Sequence, residues 1–387
     1  MVSNPDRQLI PGKHLAKYDL SQRQFLKTGI GCRFYQEFLK AHGYHLFIFG
    51  TTGSGKTNKG YSLVDWLKHI ELQIWFDSGK QGEILPLLCM DRKVRIVLPL
   101  GCNLLIEERI HGKWQLIQNH PEIVQVASPV EAILSIAEGS WDKSRNRVRD
   151  TITIISFRNY FSKKELAINW VASFFENLAE RARNPYDGNM PRITPASIHV
   201  DESQWAIAGR KVSGEGERTK ASETIAENAM ELRSARFRLV LYSQSYKGIP
   251  PAARENMLFN VICHGGMVTA EENGNLSRWC VHHKGRSPSS PMQYKVQHGR
   301  FVFENGDSYP PDKPWSFRKY PLNEDDRKWI AGLRVRYDGK FDTRQEEVQE
   351  ECLPELGRFS AMAIPPDEEE QGEIISRWAA DGVNADD

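Results

Sequence analysis

Eight consecutive residues, Gly50-Thr-Thr-Gly-Ser-Gly-Lys-Thr57, carry the strongest chemical signal in the chain. They fit the pattern G-x-x-x-x-G-K-[ST] without a mismatch, a spacing that serves phosphate. Gly50, Gly53 and Gly55 let the backbone curl, so that N–H groups along Thr51, Thr52 and Ser54 turn inward at phosphate oxygens. The positive end of the following helix adds to that field. Lys56 is placed to reach the β- and γ-phosphates of a nucleoside triphosphate, and the Thr57 hydroxyl to hold Mg2+. ATP and Mg2+ are therefore the expected cofactors.

A partner for this loop stands at Asp201-Glu202, after the apolar run Ala196-Ser-Ile-His-Val200. A strand ending there delivers Asp201 to the sheet edge where ligands of such folds bind. Asp201 can support the metal, and Glu202, one residue on, can act as general base on the attacking water. Asp77 also ends an apolar run, but Ser78-Gly79 follow it where a second acid is needed. Gln244 ends the run Leu239 to Ser243, where its amide either holds the lytic water or simply caps a strand. Arg233 and Arg236 close the preceding helix. A guanidinium there could act in trans on a neighbour's nucleotide, although exposed arginines are ordinary on helices.

The elements that must position these groups follow from periodicity. Strands are expected at Tyr44–Phe49, Leu72–Asp77, Val94–Leu98, Thr151–Phe157, Ala196–Val200, Leu239–Ser243 and Asn260–Cys263. Helices are expected from the loop to Lys68, near Pro129 to Glu138, over Lys164 to Arg183 and from Ser222 to Arg236. The signal weakens between Gly101 and Asp150. Strands alternating with helices over this length imply an α/β domain with a mostly parallel central sheet flanked by helices. The domain reading is a basic helical lead-in over 1–43, with Cys32–Leu39 as its clearest helix, and the nucleotide domain over 44–270. A small, turn-rich and antiparallel extension follows over 271–322, then an acidic, partly disordered tail over 323–387.

Composition sets the outer limits. The chain is 40% hydrophobic and 26% charged with a net charge of +1, which suits a soluble globular protein and gives no global sign of a nucleic-acid binder. The charge is uneven, with Arg7, Lys13, Lys17, Arg23, Lys27, Arg33 and Lys40 near the start and Asp367-Glu-Glu-Glu370 near the end. That polarity suits a polyanion at one part and a protein partner at the acidic tail. Six cysteines without a CxxC pair read as buried thiols in a reducing compartment. No stretch has the apolar length of a membrane span, so a cytoplasmic protein is expected.

Four segments resemble one known group, the FtsK–HerA superfamily of ring-forming P-loop DNA translocases. They are Thr52–Thr57, Ile74-Trp-Phe-Asp-Ser-Gly-Lys80, Val200-Asp-Glu202, and Glu231-Leu-Arg-Ser-Ala-Arg-Phe-Arg-Leu-Val-Leu-Tyr-Ser-Gln244. The Pro250 to Asn256 stretch is also similar, and the resemblance runs over about residues 44 to 270. It implies a RecA-like P-loop NTPase fold, ATP hydrolysis, and a homo-oligomeric, hexameric ring acting on double-stranded DNA. It also implies Lys56 and Thr57 on nucleotide and Mg2+, Asp201 on the metal, Glu202 as base, Gln244 as sensor and Arg233 as the trans-acting arginine, with Arg236 as substitute. Tyr242-Ser243 and Ser245-Tyr246 depart from the group's usual residues. The basic stretches Lys143–Arg149 and Gly209–Lys220 would supply DNA-facing pore loops. A genome-packaging or mobile-element motor, cytoplasmic or virion-associated, fits the absence of an anchor or a DNA-reading module. Two rival readings are a nucleotide-dependent switch or assembly ATPase acting on a protein, and a small-molecule kinase. The long distance from the loop to Asp201 argues against the kinase.

Overall fold

The computed structural model describes Phe38 and residues 43–68, 71–80, 82–90, 93–142, 147–148, 151–183, 195–205, 207, 216–266, 279–283, 292–296, 301–302 and 324–341. All of them lie in one compact unit, Met1–Asp342. The lead-in expected over 1–43 lies outside them apart from Phe38 and Gly43, as do Lys143–Asn146, Arg149 and residues 209–215 and 342–387.

Apolar runs become strands buried on both faces, as a parallel sheet covered by helices requires. In chain order the strands of the main sheet are β1 (Leu46–Phe49), β2 (Leu72–Phe76), β3 (Lys93–Pro99), then β4 (Asn103–Ile110) and β5 (Lys113–Leu116) in a separate sheet, and β6 (Glu122–Val126) back in the first. A short pair, β7 (Trp141–Asp142) and β8 (Arg147–Val148), precedes β9 (Thr151–Ile155), β10 (Ala196–Val200), β11 (Phe237–Ser243) and β12 (Phe259–Ile262). The last strands are β13 (Trp279–His283), β14 (Met292–Val296), β15 (Phe301–Val302) and β16 (Leu333–Asp338). The helices are α1 (Lys56–Leu67), α2 (Leu85–Leu88), α3 (Pro129–Ser140), α4 (Lys164–Arg183), α5 (Gly216–Ser234), α6 (Pro251–Glu255) and α7 (Glu324–Ala331).

The main sheet has eleven strands in the order β15-β14-β13-β12-β1-β11-β10-β2-β9-β3-β6. Every neighbouring pair from β13 to β6 is parallel, and only β14 and β15 run antiparallel. This is the RecA-like P-loop NTPase architecture. The two-residue period of a strand divides its side chains between two cores. Phe47, Phe49, Leu72, Ile74 and Phe76 face α3, α4, α5 and α6. Leu46, Ile48, Trp75, Val240 and Tyr242 face α1 and α2. Among the described residues no helix is long and apolar enough to cross a membrane.

Four expectations change. The weak region after Gly101 holds β6 in the main sheet and the hairpin β4–β5, which β16 joins to make an accessory three-stranded sheet. Its pairing spans more than two hundred residues, as in Leu333 opposite Glu108, a distance no local pattern reveals. The segment after Asn323, expected as the start of an acidic tail, therefore holds the helix α7 and then the strand β16. The stretch after Gly265 first extends the parallel sheet with β13 before turning antiparallel, and α5 begins at Gly216, inside the stretch expected as a loop.

Candidate nucleotide site

The phosphate loop leaves β1 and is fastened to its two neighbours. The Gly50 N–H donates to the Ser243 carbonyl at 3.2 Å, and the Thr51 N–H to the His264 carbonyl at 3.1 Å. Gly55 has φ 81° just before α1, in the left-handed region that costs glycine little. Gly60 lets α1 sit tight on the sheet, since a Cβ there would stand 2.6 Å from the Tyr242 hydroxyl. Lys56 curls back over the loop, with Nζ donating to the carbonyls of Gly50 and Thr51, each at 2.9 Å. Burial draws its pKa below the ordinary lysine value, opposed by charges that include the Asp201 and Glu202 carboxylates.

The acidic pair arrives where the sequence placed it. All of β10 is buried, and it delivers Asp201 to the sheet edge at 1% exposure. Thr57 Oγ1 donates to Asp201 Oδ2 at 3.0 Å, joining residues 144 apart in the chain. Asp201 Oδ1 accepts the N–H of Glu202 at 2.9 Å. Glu202 itself has φ 47°, a left-handed conformation that non-glycine residues rarely adopt and that costs about 1 kcal/mol or more. Such strain persists where surrounding structure fixes it, often at functional sites.

Two cations meet the Glu202 carboxylate, and neither has a role assigned from sequence. Lys80 Nζ lies 2.7 Å from Glu202 Oε1 and 3.7 Å from Asp201 Oδ2. Arg158 Nη1 lies 3.8 Å from Glu202 Oε2, and its guanidinium stands 5.1 Å from the centre of the Trp205 ring. Burial works to lower the pKa of Lys80, but the carboxylates of Asp201, Glu202 and Glu83 raise it above the ordinary value. Lys80 follows β2 and Arg158 follows β9, and these strands are neighbours in the sheet. Only the end of Ile74–Lys80 hinted at this, through its resemblance to a family strand end. Arg158 carried no sequence signal.

Asp77 lies behind Lys80 and is buried. It accepts from Ser156 Oγ at 2.6 Å, Tyr337 Oη at 2.9 Å and the Gly79 N–H at 2.9 Å. Burial raises its pKa despite these donors. Glu83 is raised well above a normal carboxyl by burial and by the charges of Asp201 and Asp77, while accepting from Trp75 Nε1 and Ser78 Oγ.

The remaining residues expected at the site divide by edge. Gln244 is exposed directly after β11, which pairs with both β10 and β1, so it stands at the loop's edge of the sheet. Arg233 and Arg236 precede β11 and stand at the opposite edge. The Arg233 guanidinium lies 5.3 Å from the Tyr44 ring centre, and the Arg236 carbonyl accepts from the Ala196 N–H. Within one chain they are a strand's length from the phosphate loop. The basic stretches Lys143–Arg149 and Gly209–Lys220 contribute no described side chains.

The arrangement suits a triphosphate. The first turn of α1 leaves N–H groups its own helix cannot satisfy, next to Lys56. A hydroxyl and a carboxylate in contact, Thr57 and Asp201, match the sparse protein ligation of Mg2+ that keeps several waters and meets phosphate oxygens. Among the described residues no group of three or more His, Cys, Asp or Glu could hold a metal by itself. When bound, Mg2+ would neutralise charge on the phosphates. Glu202 lies partly exposed beside Asp201.

No protein-family model matches the sequence, and no curated protein matches it. Among solved structures the chain is similar to the genome packaging NTPase B204 of Sulfolobus turreted icosahedral virus 2, with 12% identity and a TM-score of 0.27 over 64% of this chain and 78% of that one. It is also similar to EssC (ATPases 2 and 3) of Geobacillus thermodenitrificans, with 10% identity and a TM-score of 0.31 over 81% of this chain and 45% of that one. A third is the N-terminal domain of zonular occludens toxin from Neisseria meningitidis, with 11% identity and a TM-score of 0.27 over 79% and 98%.

Proposed function

We propose that this chain is an ATP-hydrolysing motor that moves double-stranded DNA, of the kind used in genome packaging or in DNA transfer by a mobile element. The observation that carries the hydrolysis is the contact of Thr57 with Asp201, with Glu202 beside it and Lys56 on the loop. Lys56 holds the β- and γ-phosphates, Thr57 and Asp201 hold Mg2+, and Glu202 deprotonates the attacking water. Gln244, directly after the strand between the acidic pair and the loop, senses the γ-phosphate.

The DNA substrate rests on the sequence resemblance over residues 44 to 270, above all on Glu231–Gln244. In this reading the chain forms a hexameric ring, in which Arg233, or Arg236 in its place, reaches a neighbour's nucleotide. Their position at the far edge of the sheet supports a role between subunits rather than within one. Cations of the basic stretches Lys143–Arg149 and Gly209–Lys220 meet the DNA phosphates in the channel, and the acidic tail meets a protein partner. Such a motor is cytoplasmic or carried with the virion.

The test is ATP hydrolysis by the full chain with no DNA, with double-stranded DNA and with single-stranded DNA. Stimulation by double-stranded DNA that disappears in Lys56→Ala and Glu202→Gln is expected. Hydrolysis indifferent to both DNA forms would replace the motor with a switch or assembly ATPase acting on a protein.

A further inference from the structure

The three residues before Lys80, which pairs with Glu202, are held from several sides. Asp77 Oδ1 accepts the Gly79 N–H at 2.9 Å, while Arg158 Nη1 donates to the Ser78 carbonyl at 2.6 Å. Asn159 Nδ2 donates to the Gly79 carbonyl at 3.3 Å, and the Ser78 hydroxyl donates to Glu83. The Gly79 φ of 79° makes the turn that aims the chain back toward the acidic pair.

One of these anchors belongs to another layer of the molecule. Tyr337, in the accessory sheet, donates its hydroxyl to Asp77 Oδ2 at 2.9 Å across 260 residues of chain. That sheet is fastened nearby by Tyr160, whose hydroxyl donates to the Asn103 carbonyl at 2.9 Å and whose carbonyl accepts the Phe341 N–H at 3.1 Å. The Tyr160 ring also meets Tyr337 edge to face at 5.8 Å. A continuous line of contacts thus runs from β16 through Asp77 and Gly79 to Lys80 and Glu202.

We propose that Tyr337 and Asp77 are positioning residues for hydrolysis, acting through Lys80 to hold the Glu202 carboxylate in register. The accessory sheet then sets how well the base is aimed, and whatever displaces β16 changes turnover without touching nucleotide. The proposal rests on the hydrolytic reading of Glu202. It adds that a hydroxyl far from the phosphate loop controls kcat. The physical basis is that misplacing a catalytic group by about 1 Å can cost on the order of 100-fold in rate.

The experiment is a double-mutant cycle on steady-state ATP hydrolysis, with kcat and KM read separately and thermal midpoints recorded. Lys80→Met is expected to lower kcat by about 10- to 100-fold with KM within about twofold, and Lys80→Arg to restore most of it. Tyr337→Phe, which removes one hydroxyl, is expected to lower kcat by roughly 3- to 10-fold, again without a change in KM. In the Lys80→Met background Tyr337→Phe is expected to do nothing further to kcat, because both changes act on one contact. Asp77→Asn gives the same dependence on Lys80 from the middle of the line. A Tyr337→Phe loss that persists undiminished in the Lys80→Met background overturns the relay, as does a loss confined to the thermal midpoint. If Glu202→Gln leaves hydrolysis intact, the reading of the site itself fails and the relay with it.

Discussion

At the edge where the central strands begin, Glu71 and Arg238 are both fully buried and paired at 2.8 and 3.0 Å. At the edge where the strands end, Lys56, Lys80, Arg158, Asp201 and Glu202 gather around the phosphate loop with Lys80 half exposed. The first group is closed. Ser197 donates to Glu71, Arg238 donates to the Phe38 carbonyl at 2.8 Å, and its guanidinium stacks 4.1 Å from the Phe38 ring centre. The second group is open, with Lys56 bonded, among the described residues, to its own loop and Glu202 in a strained conformation. Buried charge with every partner supplied fixes a structure. Charge whose partners can be exchanged is what a site that binds and releases a polyanion needs.

The contrast predicts that substitutions at the open edge change turnover and those at the closed edge change stability. Lys56→Ala is expected to lower kcat/KM for ATP by on the order of 10^3-fold or more, with a thermal midpoint no lower than wild type, because a desolvated cation is removed. Parallel kinetics and calorimetry check this, and a large fall in midpoint would break the comparison. Arg238→Ala is expected to do the reverse. Leaving Glu71 buried without its cation costs about 3–5 kcal/mol, read as a lower urea midpoint.

A smaller effect follows from two histidines. Burial lowers the pKa of His45 to about 4 and that of His199 to about 3, which keeps both rings neutral. His45 Nδ1 accepts the Leu239 N–H at 3.0 Å and its Nε2 donates to the Ala229 carbonyl at 2.7 Å. Both folded values lie below the unfolded value near 6.5, so their stabilisation is complete above that pH. It is lost as pH falls from about 6.5 towards 3 to 4, at a few kcal/mol for each group. Urea midpoints should hold from pH 7.5 to about pH 6.5 and fall from there to pH 4.5, and midpoints flat to pH 5 would contradict it. The smallest effect expected is that of Tyr242→Phe. It removes the hydroxyl that meets His199 Nδ1 at 2.7 Å and should cost about 1–3 kcal/mol in the same assay.

The phosphate loop, the acidic pair and the strands carrying them were legible because local apolar runs and turn residues encode them. Lys164–Arg183 and Ala196–Val200 appear with the expected ends. What stayed hidden depends on pairing between distant segments. Arg158 follows β9 as an ordinary basic residue, and only the neighbouring β2 makes it a partner of Ser78 and Glu202. Tyr337 sits in a charged stretch after α7 that read as the start of a tail, and only its pairing opposite Leu104 brings it to Asp77. Asp77 was set aside because no second acid follows it. Its place behind Lys80 shows that an acid at a strand end can shape a site without joining its chemistry.

The most direct measurement compares binding and turnover of MgATP in Glu202→Gln. The account predicts affinity within a few-fold of wild type, because Lys56, Thr57 and Asp201 remain, with single-turnover hydrolysis slower by about 10^2-fold or more. Glu202→Gln turning over at a rate close to wild type would mean that another group activates the water and that the open edge has been misread.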